Sequence, residues 1–167
     1  NYPELQYGHA DGDQWTAAEC DVSIRPGWFY HPEEDDRVKS PEQLADLYYR
    51  SVGHNATLLL NFPVDREGLI HPTDSANAVN FHKMIQRELQ HNLVAGMTPK
   101  VSNERGGEFT AKAMTDNSWD TYWATTDGVT SATITFDFKK PQLMNRIMLQ
   151  EYIPLGQRVK KFAVEYL

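Results

Sequence analysis

The chain has 167 residues, 40% of them hydrophobic, and its 16 Lys and Arg against 23 Asp and Glu leave a formal charge of −7. That field repels a polyanion and no basic stripe interleaved with aromatics reverses it, which excludes nucleic acid as a partner, and no apolar run approaches the roughly 18 residues of a membrane span. Cys20 stands alone, which excludes an internal disulfide and the cysteine clusters of zinc and iron–sulfur sites.

Residues 1–18 are rich in Gly, Asp, Tyr and Pro without sustained periodicity and read as a loop; they carry neither the cationic start nor the apolar core of a signal peptide. Alternation begins at Glu19. In Glu19-Cys20-Asp21-Val22-Ser23-Ile24-Arg25 the polar residues Glu19, Asp21, Ser23 and Arg25 share one face and Cys20, Val22 and Ile24 the other, the period of a strand. Pro26-Gly27 breaks it, Trp28-Phe29-Tyr30-His31 follows, and the acidic stretch Glu33 to Asp36 reads as a solvated loop.

Ser40-Pro41-Glu42 predicts a helix start, with Ser as N-cap and Pro at the first helical position, where its missing N–H costs nothing. Leu44, Leu47, Tyr48 and Val52 form its apolar face, and Gly53 is placed to end it in a left-handed conformation. Ala56 to Asn61 is a short, almost wholly apolar run of the kind found in parallel strands covered on both sides, and Asp65-Arg66-Glu67-Gly68 turns the chain. A second helix, capped near Thr73 or Asp74, carries Ala78, Phe81, Ile85, Leu89 and Leu93 on one face.

Strand, helix, buried strand, helix is the pattern of an α/β barrel or a doubly wound sheet, and two strands close neither, so the first domain is expected to be incomplete. After Gly96 helical periodicity stops. Residues 97–107 read as a polar linker, and 108–167 as antiparallel strands: Ile134, Phe136 and Phe138 inward, then Ile147 and Leu149, then Phe162, Val164 and Tyr166. With the chain stopping in that last strand, the second domain is expected to be an incomplete β-sandwich as well.

Glu19, Asp21, Arg25, Trp28, Tyr30 and His31 form the densest group of chemically useful side chains. Barrel enzymes gather catalytic groups at the carboxyl ends of strands and in the loops that follow, and carboxylates beside a large aromatic are what cleavage of a sugar bond requires. One carboxyl protonates the departing oxygen while a second attacks or stabilises the sugar centre. Glu19 and Asp21 lie about 7 Å apart on one side of one strand; they cannot flank a sugar from opposite faces, and the partner carboxylate must come from elsewhere. The same residues have ordinary uses: Glu19 and Arg25 as a weak surface ion pair, Trp28 and Tyr30 as packing aromatics, His31 as a loop residue. No HExxH pattern occurs, His82 and His91 are nine apart and do not share a helical face, and Arg105-Gly106-Gly107 lacks the strand and helix context of a phosphate loop. Spacing alone therefore stops at part of an α/β fold with a sandwich attached.

The wording of three segments goes further. Trp15 to Ile24 followed by Gly27-Trp28-Phe29-Tyr30 resembles the Trp-Glu-x-Cys, Ser-Ile, Trp-Gly-Tyr region of family 29 α-L-fucosidases, and Asn55 to Asn61 with Pro63, Asp65 and Gly68 is similar to that family's late-barrel strand. Ala113 to Trp123, and Gln150-Glu151 with Gly156 to Val159, resemble discoidin-type, galactose-binding-like sandwiches. The resemblance implies the C-terminal portion of a (β/α)8-like catalytic barrel over 1–96 and the N-terminal portion of a jelly-roll β-sandwich over 108–167.

It further implies a retaining glycoside hydrolase that removes α-linked L-fucose from fucosylated oligosaccharides or glycoproteins, with no cofactor for the chemistry and a periplasmic or extracellular location. The family's Asp nucleophile matches no segment here, so the remainder of a parent polypeptide is expected to supply it. Glu19 aligns with the acid/base of many members, and Trp28, Arg25, Asp21 and Tyr30 with substrate binding. The Arg25-to-His31 wording is closer to the subfamily acting on α-1,3 and α-1,4 linkages, in which Glu19 would be a pocket residue. Asp116, Asn117, Asp120 and Thr121 form an oxygen-rich loop suited to a structural calcium or to a plain turn. Two alternatives stand beside this reading: a non-catalytic glycan-binding or adhesion protein acting through the sandwich, and another retaining glycosidase.

Overall fold

The computed structural model describes residue 9 and residues 11–166, which divide into two compact units, Asn1–Gln90 and His91–Leu167. In the first unit, strand β1 (Glu19–Ser23) lies parallel to β2 (Thr57–Asn61), with Glu19 opposite Thr57, Asp21 opposite Leu59 and Ser23 opposite Asn61. Backbone bonds from Thr57 N–H to Ala18 O (2.8 Å) and from Ile24 N–H to Asn61 O (3.0 Å) continue the pairing at both ends. The polar face reads as expected through Ser23, but Arg25 lies beyond the strand and is fully buried.

Helix α1 (Pro41–Ser51) starts where the sequence predicts. Ser40 Oγ accepts from the Gln43 N–H, and Gln43 Oε1 accepts from the Ser40 N–H, closing a capping box ahead of Pro41. Its end differs from expectation. The chain tightens into a 3-10 turn over Val52–His54, and the left-handed position falls on Asn55 (φ 64°) rather than on Gly53. Asn tolerates that region because its short polar side chain bonds locally, and the delay allows Ala56 N–H to reach back to Ser51 O before β2 begins.

Helix α2 (Pro72–Glu88) is capped by His71, two or three residues earlier than predicted, with Pro72 at the first helical position. Ala78, Phe81 and Ile85 are half-buried as expected; Leu89 and Leu93 lie past the helix end and are exposed. The two helices pack on each other and α1 on β2, with Tyr48 edge-on to Phe81 and the Tyr49 hydroxyl donating to Glu88 (2.7 Å). Between β2 and α2, Asp65 Oδ1 accepts from the Glu67 and Leu69 N–H groups (2.9 Å each), and Gly68 takes φ 80°, a conformation costly for a side chain with Cβ.

Among the described residues of the second unit, β3 (Lys100–Val101) pairs antiparallel with β4 (Ile134–Thr135). Ile147 and Leu149, and Phe162, Val164 and Tyr166, alternate in sequence but form no strands among the described residues, and all five are exposed. Alternation selects a face. A strand also needs a backbone partner at about 4.8 Å, which those segments do not have here. Among the described residues of this unit, Pro99, Ala111 and Thr115 are buried.

Candidate active site

The shared face of β1 and β2 presents Glu19, Asp21 and Ser23 beside Thr57, Leu59 and Asn61. On that face Glu19 and Asp21 are both exposed. Glu19 is the first residue of β1, about 13 Å upstream of Ser23 at a strand rise near 3.3 Å per residue. The carboxyl ends of the strands, where β/α enzymes work, are marked instead by Ser23 and Asn61.

Those ends are tied to the loop after β1. Asn61 Nδ2 donates to Ser23 Oγ (3.1 Å) and to the Trp28 carbonyl (3.1 Å). Lys39 Nζ donates to the carbonyls of Ser23 (2.7 Å) and Arg25 (3.2 Å), and its own carbonyl accepts from Asn77 Nδ2 of α2 (3.0 Å). The loop thus presents Trp28 at 51% exposure with its backbone held from two sides.

Beneath the loop lies a charge cluster. Arg25 and Asp74, both with side chains 0% exposed, meet fork to fork: Nε donates to Oδ2 and Nη2 to Oδ1, each at 2.8 Å. Arg25 Nη1 lies 2.9 Å from Asp35 Oδ1, off the hydrogen-bonding direction, and donates to the His31 carbonyl (3.4 Å). The ring of Tyr30 covers the guanidinium at 4.6 Å, and its hydroxyl donates to Asp35 Oδ2 (3.3 Å). Asp74's carboxylate, helped by Asp35, holds Arg25 above its ordinary value against the opposing effect of burial, while burial and then Asp35's charge raise the Tyr30 phenol. Arg25 therefore has every nitrogen engaged below the surface, and Tyr30 packs over it. Of the expected substrate-side residues, Trp28 and Asp21 are the ones left open.

Asp35, Asp74, His71, Lys39 and Asn61 were not legible as site residues. The stretch read as solvated acid puts Asp35 against Arg25 and Glu34 against Arg37 (3.2 Å). The available signal was an Arg in a loop-entry position, which demands a buried carboxylate somewhere along the chain.

In the second unit, Asp116 Oδ1 accepts from Ser118 N–H (2.9 Å) and Oδ2 from the Thr121 hydroxyl (2.8 Å), and these two bonds hold its carboxyl below the ordinary range. Asn117 takes φ 62°. The loop offers hard oxygen donors, the right chemistry for calcium. It contains two carboxylates, and among the described residues no group of three or more His, Cys, Asp and Glu gathers as ligands. Tyr122 stacks on Tyr152 (4.5 Å between centroids), Trp123 Nε1 donates to Asn103 O (3.2 Å), and Trp119 is 74% exposed. Glu151 Oε1 accepts from the backbone N–H groups of Arg158 (2.6 Å) and Val159 (2.7 Å).

A strand-and-helix unit with an open carboxylate face is followed along the chain by a small β unit, and residues 98–167 match the F5/8 type C domain family. The chain is similar to α-L-fucosidases, among them one of glycoside hydrolase family 29. A protein of Oryza sativa subsp. japonica assigned by name to the α-L-fucosidases is 41% identical over 164 residues, covering 96% of this chain and 31% of its own length. A solved structure from Bacteroides thetaiotaomicron, likewise assigned by name, shows 50% identity and a TM-score of 0.72 over 78% of this chain and 28% of its own. A Ruminococcus gnavus family 29 fucosidase solved in complex with fucose shows 40% identity and a TM-score of 0.67 over 75% of this chain and 25% of its own. The chain spans about a third of the length of the first two fucosidase sequences it matches. No helix among the described residues is long and apolar enough to cross a membrane.

Proposed function

We propose that this chain is the late (β/α)8-barrel portion and the following galactose-binding-like module of a retaining α-L-fucosidase acting on α-1,3- and α-1,4-fucosylated glycans outside the cytoplasm. The carrying observation is identity of 36–50% to proteins named as fucosidases, together with the exposed Asp21 on the open face of β1 and the exposed Trp28 in the loop that follows it. Bond cleavage in such an enzyme needs an attacking carboxylate on the far side of the sugar, which the remainder of the polypeptide supplies. Trp28 offers an aromatic face to the apolar side of the sugar, and Asp21 accepts from its hydroxyls. The place of Glu19 at the amino end of β1 favours a pocket or acceptor-side role over proton transfer. Asp116, Asn117, Asp120 and Thr121 would hold a calcium that stiffens the second unit and takes no part in the chemistry.

The test is release of free fucose by the full polypeptide from an aryl α-L-fucoside and from a Lewis-type oligosaccharide. Faster turnover of the oligosaccharide supports the linkage assignment; release from galactosides in place of fucosides would overturn the substrate. The exposed Trp119 supports a second reading, glycan binding through the F5/8 type C module alone. Retained glycan binding without turnover of any fucoside would select it.

A further inference from the structure

Beyond the groups that face a substrate, the loop carrying Trp28 is fastened to the first turn of α2 at two points, and one of them is a histidine with two jobs. His71 is the N-cap of α2: its Nδ1 accepts from the Thr73 N–H at 3.3 Å. An accepting nitrogen carries no proton, so in the neutral ring the proton sits on Nε2. Nε2 lies 3.5 Å from Asp35 Oδ2, a close polar contact outside hydrogen-bond geometry, against the oxygen that already accepts from the Tyr30 hydroxyl, and the His71 and Tyr30 rings lie 6.1 Å apart. Asp35 in turn touches Arg25, which Asp74, three residues after His71 on the same helix turn, grips fork to fork.

We propose that His71 is a positioning residue for the sugar-facing loop: in its Nε2-protonated form it orients Asp35, and through Asp35 the Tyr30 hydroxyl, so that Trp28 is held in its sugar-facing place. This rests on the fucosidase reading for its consequence but not for its existence. The Arg25–Asp74 pair fixes the root of the loop, residue 25, whether or not His71 is present. His71 acts further along, at residues 30 and 35, and Trp28 lies between the root and those points, with its carbonyl held by Asn61. A loop fastened only at its root and at one carbonyl keeps its fold but samples more orientations of the exposed ring.

The two nitrogens can be separated by substitution. His71→Asn places an amide oxygen near the Nδ1 position, which preserves the cap, and leaves nothing at Nε2; His71→Gln places a donor near Nε2 and abandons the cap. In the full polypeptide, hydrogen exchange should quicken by about tenfold or more over residues 27–36 in His71→Asn, with exchange in the body of α2 unchanged. His71→Gln should show the reverse pattern, faster exchange in the first turn of α2 and a loop close to wild type. On fucosides, kcat/KM should fall about tenfold in His71→Asn and stay within about threefold in His71→Gln, a split that a residue acting only as a helix cap would invert. Nitrogen chemical shifts of His71 should show Nε2 protonated near neutral pH. Equal loop exchange in His71→Asn and wild type overturns the proposal, as does an Nδ1-protonated ring. If the wild-type polypeptide releases no fucose, the functional reading fails, and loop exchange with the ring's protonation alone decides whether the latch exists.

Discussion

Replacing Asp74 by Asn keeps the shape of the side chain and removes its charge from a guanidinium that is fully buried. At 4 Å between charge centres and an effective dielectric near 20, one pair is worth about 4 kcal/mol, and removing one partner of a buried pair typically costs about 3–5 kcal/mol. Asp35 stays 2.9 Å from Arg25 and offsets part of the loss, so a decrease of about 3 kcal/mol in the first unit is expected. For a unit of that size this lowers the midpoint by roughly 12–24 °C. Urea unfolding followed by tryptophan fluorescence measures it. The companion is Arg25→Met with Asp74→Leu, which removes both charges and should lie within about 1–2 kcal/mol of wild type, because no ion is then left buried alone. A loss below about 1 kcal/mol for Asp74→Asn, or a double variant as unstable as the two single losses added, would refute the account of this cluster.

Four further outcomes follow from the geometry. Glu19→Gln should lower fucose release by less than about tenfold, the range of a lost binding contact, whereas loss by the 10²–10⁴ typical of a general acid would assign proton transfer to Glu19. Ser40→Ala opens the capping box and should cost about 1 kcal/mol in urea unfolding. The lowered Asp116 carboxyl stabilises the folded loop above the ordinary carboxylate value of 3.8 and loses that contribution as pH falls through its own lower midpoint; Thr121→Val, which removes the largest cause, should move the midpoint up in a carboxyl-carbon NMR titration. Calcium at millimolar concentration should raise the unfolding midpoint of the EGTA-treated protein, and an unchanged midpoint would remove calcium from the loop.

Local rules were readable where a single turn of chain contains both partners. Ser40 and Pro41 announced α1, and Asp65 to Gly68 announced a turn, because cap and turn chemistry is written within four residues. The kinship was readable too, from the ordered phrases around Glu19, Trp28 and Asn55 to Asn61. What the residues hid was long-range. Arg25 looked like a member of the strand's polar face, but its partner Asp74 lies 49 positions away, and no periodicity relates them. Gly53 lost the left-handed position to Asn55 because the helix tightened before it ended. The alternation at 147–149 and 162–166 named a face without naming a neighbour.

The pairing of β1 with β2 runs residue for residue from Glu19 opposite Thr57 to Ser23 opposite Asn61. Side chains alternate strictly by parity, so an insertion or deletion of one residue within that stretch would turn Asp21 from the open face to the half-buried one and carry Cys20 or Val22 outward. Variation among relatives of this chain should therefore be partitioned. Lengths may drift before Glu19 and in the turn at 65–68, where no ladder keeps count, while the stretch from Glu19 to Ser23 changes by substitution alone. An alignment that needs a gap inside it is misregistered, and the parity of this short ladder provides a check on any such alignment that depends on no ligand and no assay.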